Sequence, residues 1–259
     1  MDPRRTLRTI RLTWWLHLKM LNRSPMELAL NIVWPLFFAT VALLLYRLPG
    51  REVSLSYVAF GASVMTIWTA MSSKASTLLM RERGSGTLEL LVAAPERFSL
   101  TIVSMIFAVS TVGFYSMITT LLWSGLVFNV DLTVAQPVHF AIAVAVTMLS
   151  FAVTGFIICV TIVRYRVAWA LGAALEYPVW LLCGFLMPVS LLPEWTRPAS
   201  WLLPPFWGMA AIRYAVEGRT SWKELAICVS LIVLYAIGGA RLTAVLLRSS
   251  RWHGTLTLR

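Results

Sequence analysis

Residues 98–130 read FSLTIVSMIFAVSTVGFYSMITTLLWSGLVFNV, and no charged side chain interrupts them. A helix rising ~1.5 Å per residue crosses a ~30 Å hydrocarbon core in about 20 residues, so this stretch holds a full membrane span with length to spare. The chain around it has the same character. Of its 259 residues 59% are hydrophobic and only 13% charged, against about 45–50% and about 25% in soluble domains. Its solvent is therefore lipid, in which apolar side chains face outward at no cost. The net charge of +11 does not mark a nucleic-acid surface, which needs Lys and Arg clustered on solvated faces. Here the basic residues punctuate apolar runs.

Working outward, the interval from Asp131 to Arg164 is again uncharged and supplies a helix over 137–163, paired with the one over 98–128 through a turn at Asn129, Asp131 and Pro137. Upstream, 28–46 and 57–80 read as two further spans. Downstream, 167–192 forms a fifth, disturbed by Pro178 and Pro188, and 225–247 a sixth. The uncharged stretch 198–212 is too short to cross and carries Pro198, Pro204 and Pro205, so it is expected to dip into the outer leaflet and return. Trp195, Trp201, Trp207 and Trp222 fall at the predicted outer face, and Trp14, Trp15 and Trp252 at the inner one, as interfacial belts do.

At residues 4–22, Leu7, Ile10, Trp14, Leu18 and Leu21 recur at helical spacing opposite Arg4, Arg8, Arg11 and Lys19, the pattern of an amphipathic helix lying on a membrane surface. His17 and Lys19 break any signal-peptide core, so no cleavage is expected. Six of the 22 basic residues (Arg47, Arg51, Arg197, Arg213, Arg219 and Lys223) fall on one predicted side and the other 16 on the opposite side. The positive-inside rule makes the richer side cytoplasmic, with both termini there, as six spans require. Cys159, Cys183 and Cys228 lie in apolar runs and form no disulfide or metal pattern. His17 and His139 have no partner at ligand spacing and read as interfacial residues; no metal site is expected.

The connector at 81–97 begins Arg81-Glu82-Arg83-Gly84-Ser85-Gly86-Thr87-Leu88-Glu89. Gly84 and Gly86 break the preceding helix, Thr87 caps a new one, Glu89 suits its first turn, and Pro95 stops it. A helix of about two turns is marginal alone in water. Leu88, Leu91 and Val92 are then available to a partner, although a plain intracellular loop fits the same residues.

That connector resembles the signature of ABC-2 type permeases, in which an acidic–basic run precedes Gly-Thr-Leu-Glu, a leucine-rich turn and a proline. A second stretch is similar to the same family: Cys183-Gly184-Phe185-Leu186-Met187-Pro188, then Leu192-Pro193-Glu194-Trp195, Leu203-Pro204-Pro205 and Arg213. The family often has Ser at the position of Cys183 and an acid at that of Gly84. The resemblance implies an all-α integral membrane fold with six transmembrane helices, an N-terminal amphipathic interface helix, a cytoplasmic coupling helix and an extracellular re-entrant hairpin before the last span. It also implies a coupling role for the residues from Arg81 to Pro95, a separate cytoplasmic ATPase that binds the ATP and Mg, a second permease protomer, and export across a bacterial cytoplasmic membrane.

Glu176 is a lone carboxylate within a span, a costly placement that often serves function. It fits contact with a cationic substrate, contact with a second protomer, or an acid near the helix's cytoplasmic half. The chain has no G-x-x-x-x-G-K-[ST], H-E-x-x-H or G-x-S-x-G, which argues against phosphate cradling and hydrolase chemistry by those routes. An ion-coupled secondary transporter needs broken helices in matching positions of two halves, whereas the breaks here gather after the fifth span. An intramembrane enzyme needs convergent acid, base or metal groups. The reading is thus a permease without its own ATPase, moving a hydrophobic or amphipathic substrate such as a drug, antibiotic, lipid or glycan-lipid.

The charge count predicts a topology. Single cysteines at 131 and 194 should react with an impermeant maleimide in intact cells, and cysteines within 81–97 only after the membrane is opened; labelling of 131 solely in opened cells overturns six spans.

Overall fold

The computed structural model describes residues 3–48, 53–86, 90, 98–164 and 169–253. They form α1 (Pro3–Leu21), α2 (Pro25–Arg47), α3 (Leu55–Gly84), α4 (Phe98–Phe128), α5 (Pro137–Arg164), α6 (Trp169–Leu182), α7 (Arg197–Leu202), α8 (Pro204–Val216) and α9 (Trp222–His253), with no strand among the described residues. Five of these, α2, α3, α4, α5 and α9, are long and apolar enough to cross a membrane. The protein is a multi-pass membrane protein.

Burial orders the bundle. In α3, 72% of the apolar window is buried, against 17% in α2 and 22% in α9, so α3 is the central helix and the other two are outer staves. α4 and α5 pack on α3, α2 and α6 flank it on one side, and α8 and α9 pack on α5. Trp68 of α3, Phe151 of α5 and Phe185 beyond α6 are fully buried in a row, with ring centroids 5.7 and 6.0 Å apart. The outward side chains of α2 are apolar and exposed, among them Val33, Trp34, Phe37, Val41 and Leu44. In water this pattern would be unstable, whereas in lipid it is the expected outer wall.

Several buried hydroxyls are satisfied within their own helices. Ser104, Ser110, Thr120, Ser124 and Thr147 each donate to the carbonyl four residues back, at 2.7–3.0 Å. α1 is fixed to α4 by its apolar stripe and by Trp14 Nε1, which donates to Thr111 Oγ1 at 3.1 Å. The expected stripe divides: Leu21 is buried and Trp14 and Leu18 pack on the core, but Leu7 is 72% exposed.

One expected element ends early. The stretch 167–192 read as a single span, yet α6 stops at Leu182. Gly184 has φ +67°, its N–H donates to Leu181 O at 3.0 Å, and Phe185 N donates to Trp180 O at 3.1 Å. This is a Schellman cap, a left-handed glycine closing the last turn. Pro178 sits inside α6 without ending it. The stretch 198–212 divides into α7 and α8, separated at the extended Leu203 and restarted by Pro204 and Pro205 in the first turn of α8.

The cap lies hard against α3, where a Cβ at Gly61 would overlap the Phe185 carbonyl, and backbone has nowhere to move. Gly61→Ala should therefore cost about 3 kcal/mol, whereas Gly238→Ala in α9, which meets nothing within 4 Å, should be neutral or stabilise by about 0.5–1 kcal/mol. Thermal denaturation of the purified protein in detergent checks both.

Candidate functional site

Three regions gather the candidate residues, and α3 runs through all of them. At its C-terminal end, α3 stops at Gly84, and Gly86 follows with φ +69°, so the glycine break falls where the sequence placed it. Gly84, Ser85 and Gly86 are exposed, as is Leu90 at 69%. Glu82 meets His17 of α1, Oε1 to Nε2 at 4.0 Å, while His17 Nδ1 lies 2.8 Å from Thr13 O. The ring is only 7% exposed, packed between α1 and the end of α3, a contact that spacing could not announce because the partner is 65 positions away. Arg81 and Arg83 belong to this last turn of α3; Thr87, Leu88, Glu89, Leu91 and Pro95 lie outside the described residues.

Midway along α3, a cavity of about 410 Å³ opens between α2, α3, α4 and α6. α2 supplies Leu30, Asn31, Trp34 and Pro35, α3 supplies Thr66, Thr69, Ala70, Ser73 and Lys74, α4 supplies Ser116 and α6 supplies Glu176. The Glu176 side chain is half-buried and faces the same cavity as the Thr69 hydroxyl. The Asn31 carboxamide nitrogen is buried without a partner among the described residues. Sequence reading found Glu176 because a charge in a span stands out. It missed Asn31 and Thr69, since a lone amide or hydroxyl in an apolar helix is common.

At the opposite end of α3 stands Arg213 of α8. Its guanidinium lies 3.6 Å from the ring centroid of Tyr57 and its Nη2 donates to Gly184 O, with Phe185 O at 3.4 Å. Tyr57 Oη donates to Gly184 O at 3.4 Å. One arginine thus ties α8, the α6 cap and the start of α3 together through a cation–π contact and the carbonyls that the cap leaves over. Gly184 and Arg213 of the candidate hairpin residues meet directly; Pro188 and Pro193 sit at the starts of the two short 3₁₀ turns that follow the cap, and Pro204 and Pro205 are buried in α8. His139 meets Trp222 edge to face with ring centroids 4.4 Å apart, and no group of three or more metal-ligating side chains occurs among the described residues.

The family model for the ABC-2 type transporter membrane domain matches residues 8–216, most of the chain. The chain belongs to the ABC-2 type transporter family. No curated protein gives a significant match to it. The matched region runs from α1 through α8, and so contains all three regions; ABC-2 membrane domains are permease components, and this one lacks a phosphate-binding loop motif.

Removing the Arg213 head group leaves the Gly184 carbonyl with the long Tyr57 contact alone. Arg213→Met should destabilise by about 1.5–3 kcal/mol, the range for a charge-assisted hydrogen bond, and Arg213→Lys should recover only part of that because an ammonium cannot both bridge two carbonyls and stack flat on the ring. Melting of the three proteins in one detergent measures the order.

Proposed function

We propose that this chain is the permease subunit of an ATP-driven exporter that carries a hydrophobic or amphipathic substrate out of the cytoplasm. Membership of the ABC-2 type transporter family over residues 8–216 carries this reading. Two permease protomers, identical or homologous, line the path between them, and a separate cytoplasmic ATPase supplies the work with its own ATP and Mg. Both termini and the 81–97 segment face the cytoplasm, following the basic-residue bias. The helix–break–helix of α7 and α8 is the extracellular re-entrant hairpin.

In this arrangement the segment from Arg81 to Pro95 is the coupling element. The observed glycine break after α3 supports it, because Gly84 and Gly86 free the following residues to turn away from the bundle, and Leu90 is exposed there. Seated in an ATPase groove, the short segment moves with the ATPase and passes that motion to α3, to which it is covalently continuous. The chain contributes mechanics and substrate contacts, and ATP hydrolysis stays with the partner.

The experiment replaces Leu88 and Leu91 by Ala together with Glu89→Lys. Truncating a buried interface Leu costs on the order of 1–3 kcal/mol, and a cation at a helix N-terminus adds to it. Co-purification of the ATPase should fall at least about tenfold, and substrate-stimulated ATP hydrolysis should fall with it in reconstituted membranes. Full retention of both in the triple mutant makes the segment a mere connector.

A further inference from the structure

The cavity at Glu176 has a shape and a chemistry of its own. α2 and α6 both flank α3 and touch through Phe38 and Trp180, whose rings are 5.5 Å apart. The cavity lies on the Gly84 side of that contact, and its wall includes Leu30 and Trp34, which are 49% and 53% exposed on the outer surface of α2. Two of its wall residues thus reach the apolar outer face of the bundle. About 410 Å³ falls within the range of small-molecule sites.

The wall is apolar on the α2 side, from Leu30, Trp34 and Pro35, and carries a carboxylate on the α6 side. Glu176 is the acid among its described lining residues, and Thr69 lines the α3 wall of the same cavity. Lys74 lines the cavity too but has an interaction of its own. A carboxylate beside so much apolar surface is costly unless a cation balances it. A molecule that brings one positive charge on a greasy body compensates it, while the body covers the aromatic and aliphatic wall and gains the cation–π attraction of Trp34. A neutral body gains only the second part, and an anion meets repulsion.

We propose that this cavity is a binding site for lipophilic monocations, with Glu176 as the counter-ion and Trp34 as the aromatic wall. Resting on the exporter reading, it also assigns the transported class: amphiphiles that carry a single positive charge and reach the site sideways from the apolar face. The competing use of Glu176 is to pair with a cation of a second protomer, and the two are separable.

The full chain in lipid nanodiscs, without ATPase, is titrated by equilibrium dialysis with tetraphenylphosphonium, and in parallel with tetraphenylborate, its near-isosteric anion. Wild type should bind the cation saturably above empty discs and the anion not at all. Glu176→Gln, nearly isosteric and uncharged, should weaken the cation at least about tenfold, as loss of a partly buried charge partner does; Glu176→Asp should retain most of the binding. Melting temperature and oligomeric mass are recorded for each variant. No saturable cation binding by wild type, or equal binding by a folded Glu176→Gln, overturns the site. So does a Glu176→Gln protein that loses its oligomeric mass while keeping its cation affinity, which returns the carboxylate to the protomer contact. Because no ATP or transport enters the measurement, intact binding beside failed ATP-driven export would count against the exporter reading alone.

Discussion

In hydrocarbon there is no water to take up a free N–H or C=O, and each one left unpaired costs several kcal/mol. The whole chain is organised around that constraint. It explains the long unbroken helices, the hydroxyls folded back on their own carbonyls, and above all what happens where a helix must stop. The end of α6 is the informative case. A helix that ends inside the bundle exposes carbonyls, and here the Schellman turn at Gly184 takes up some, while Arg213 and Tyr57 take up the Gly184 carbonyl itself. The cap permits close approach to α3 because position 61 is glycine.

The same constraint decides how much was legible beforehand. Spans over 98–128 and 137–163 were visible in sequence because charge is absent from them, and α4 and α5 cover those residues. The glycine break at Gly84 and Gly86 was visible because a left-handed residue has a compositional signature. The early end of α6 was not, since Cys183 to Leu192 is as apolar as a span and the cap depends on an arginine 29 positions downstream. Likewise Glu176 announced itself by charge, but its surroundings did not: Thr69 and Asn31 come from two other helices, and only packing brings them to one cavity. His17 and Glu82 make the same point at the far end of α3.

The arrangement distributes chemistry along one helix. α3 carries Tyr57 and Gly61 against the α6 cap, Thr69 and Lys74 in the cavity, and Glu82 beside α1. Its neighbours each touch one of these sites. A change at any of the three is felt by the helix that also serves the other two, and this makes α3 the natural route between its Gly84 end and the opposite end at Tyr57.

That route has a mechanical side. A helix of 30 residues is a rod about 45 Å long, and close to its midpoint it is pressed on α4, where a Cβ at Gly113 would stand 3.0 Å from Ile67 Cγ2 and 3.1 Å from Ile67 Cα. The grip at Gly61 is tighter still, since a Cβ there would overlap the Phe185 carbonyl oxygen. A rod gripped at two points along its length can neither pivot about one of them nor slide alone, so a displacement of α3 must carry α4 and the α6 cap with it.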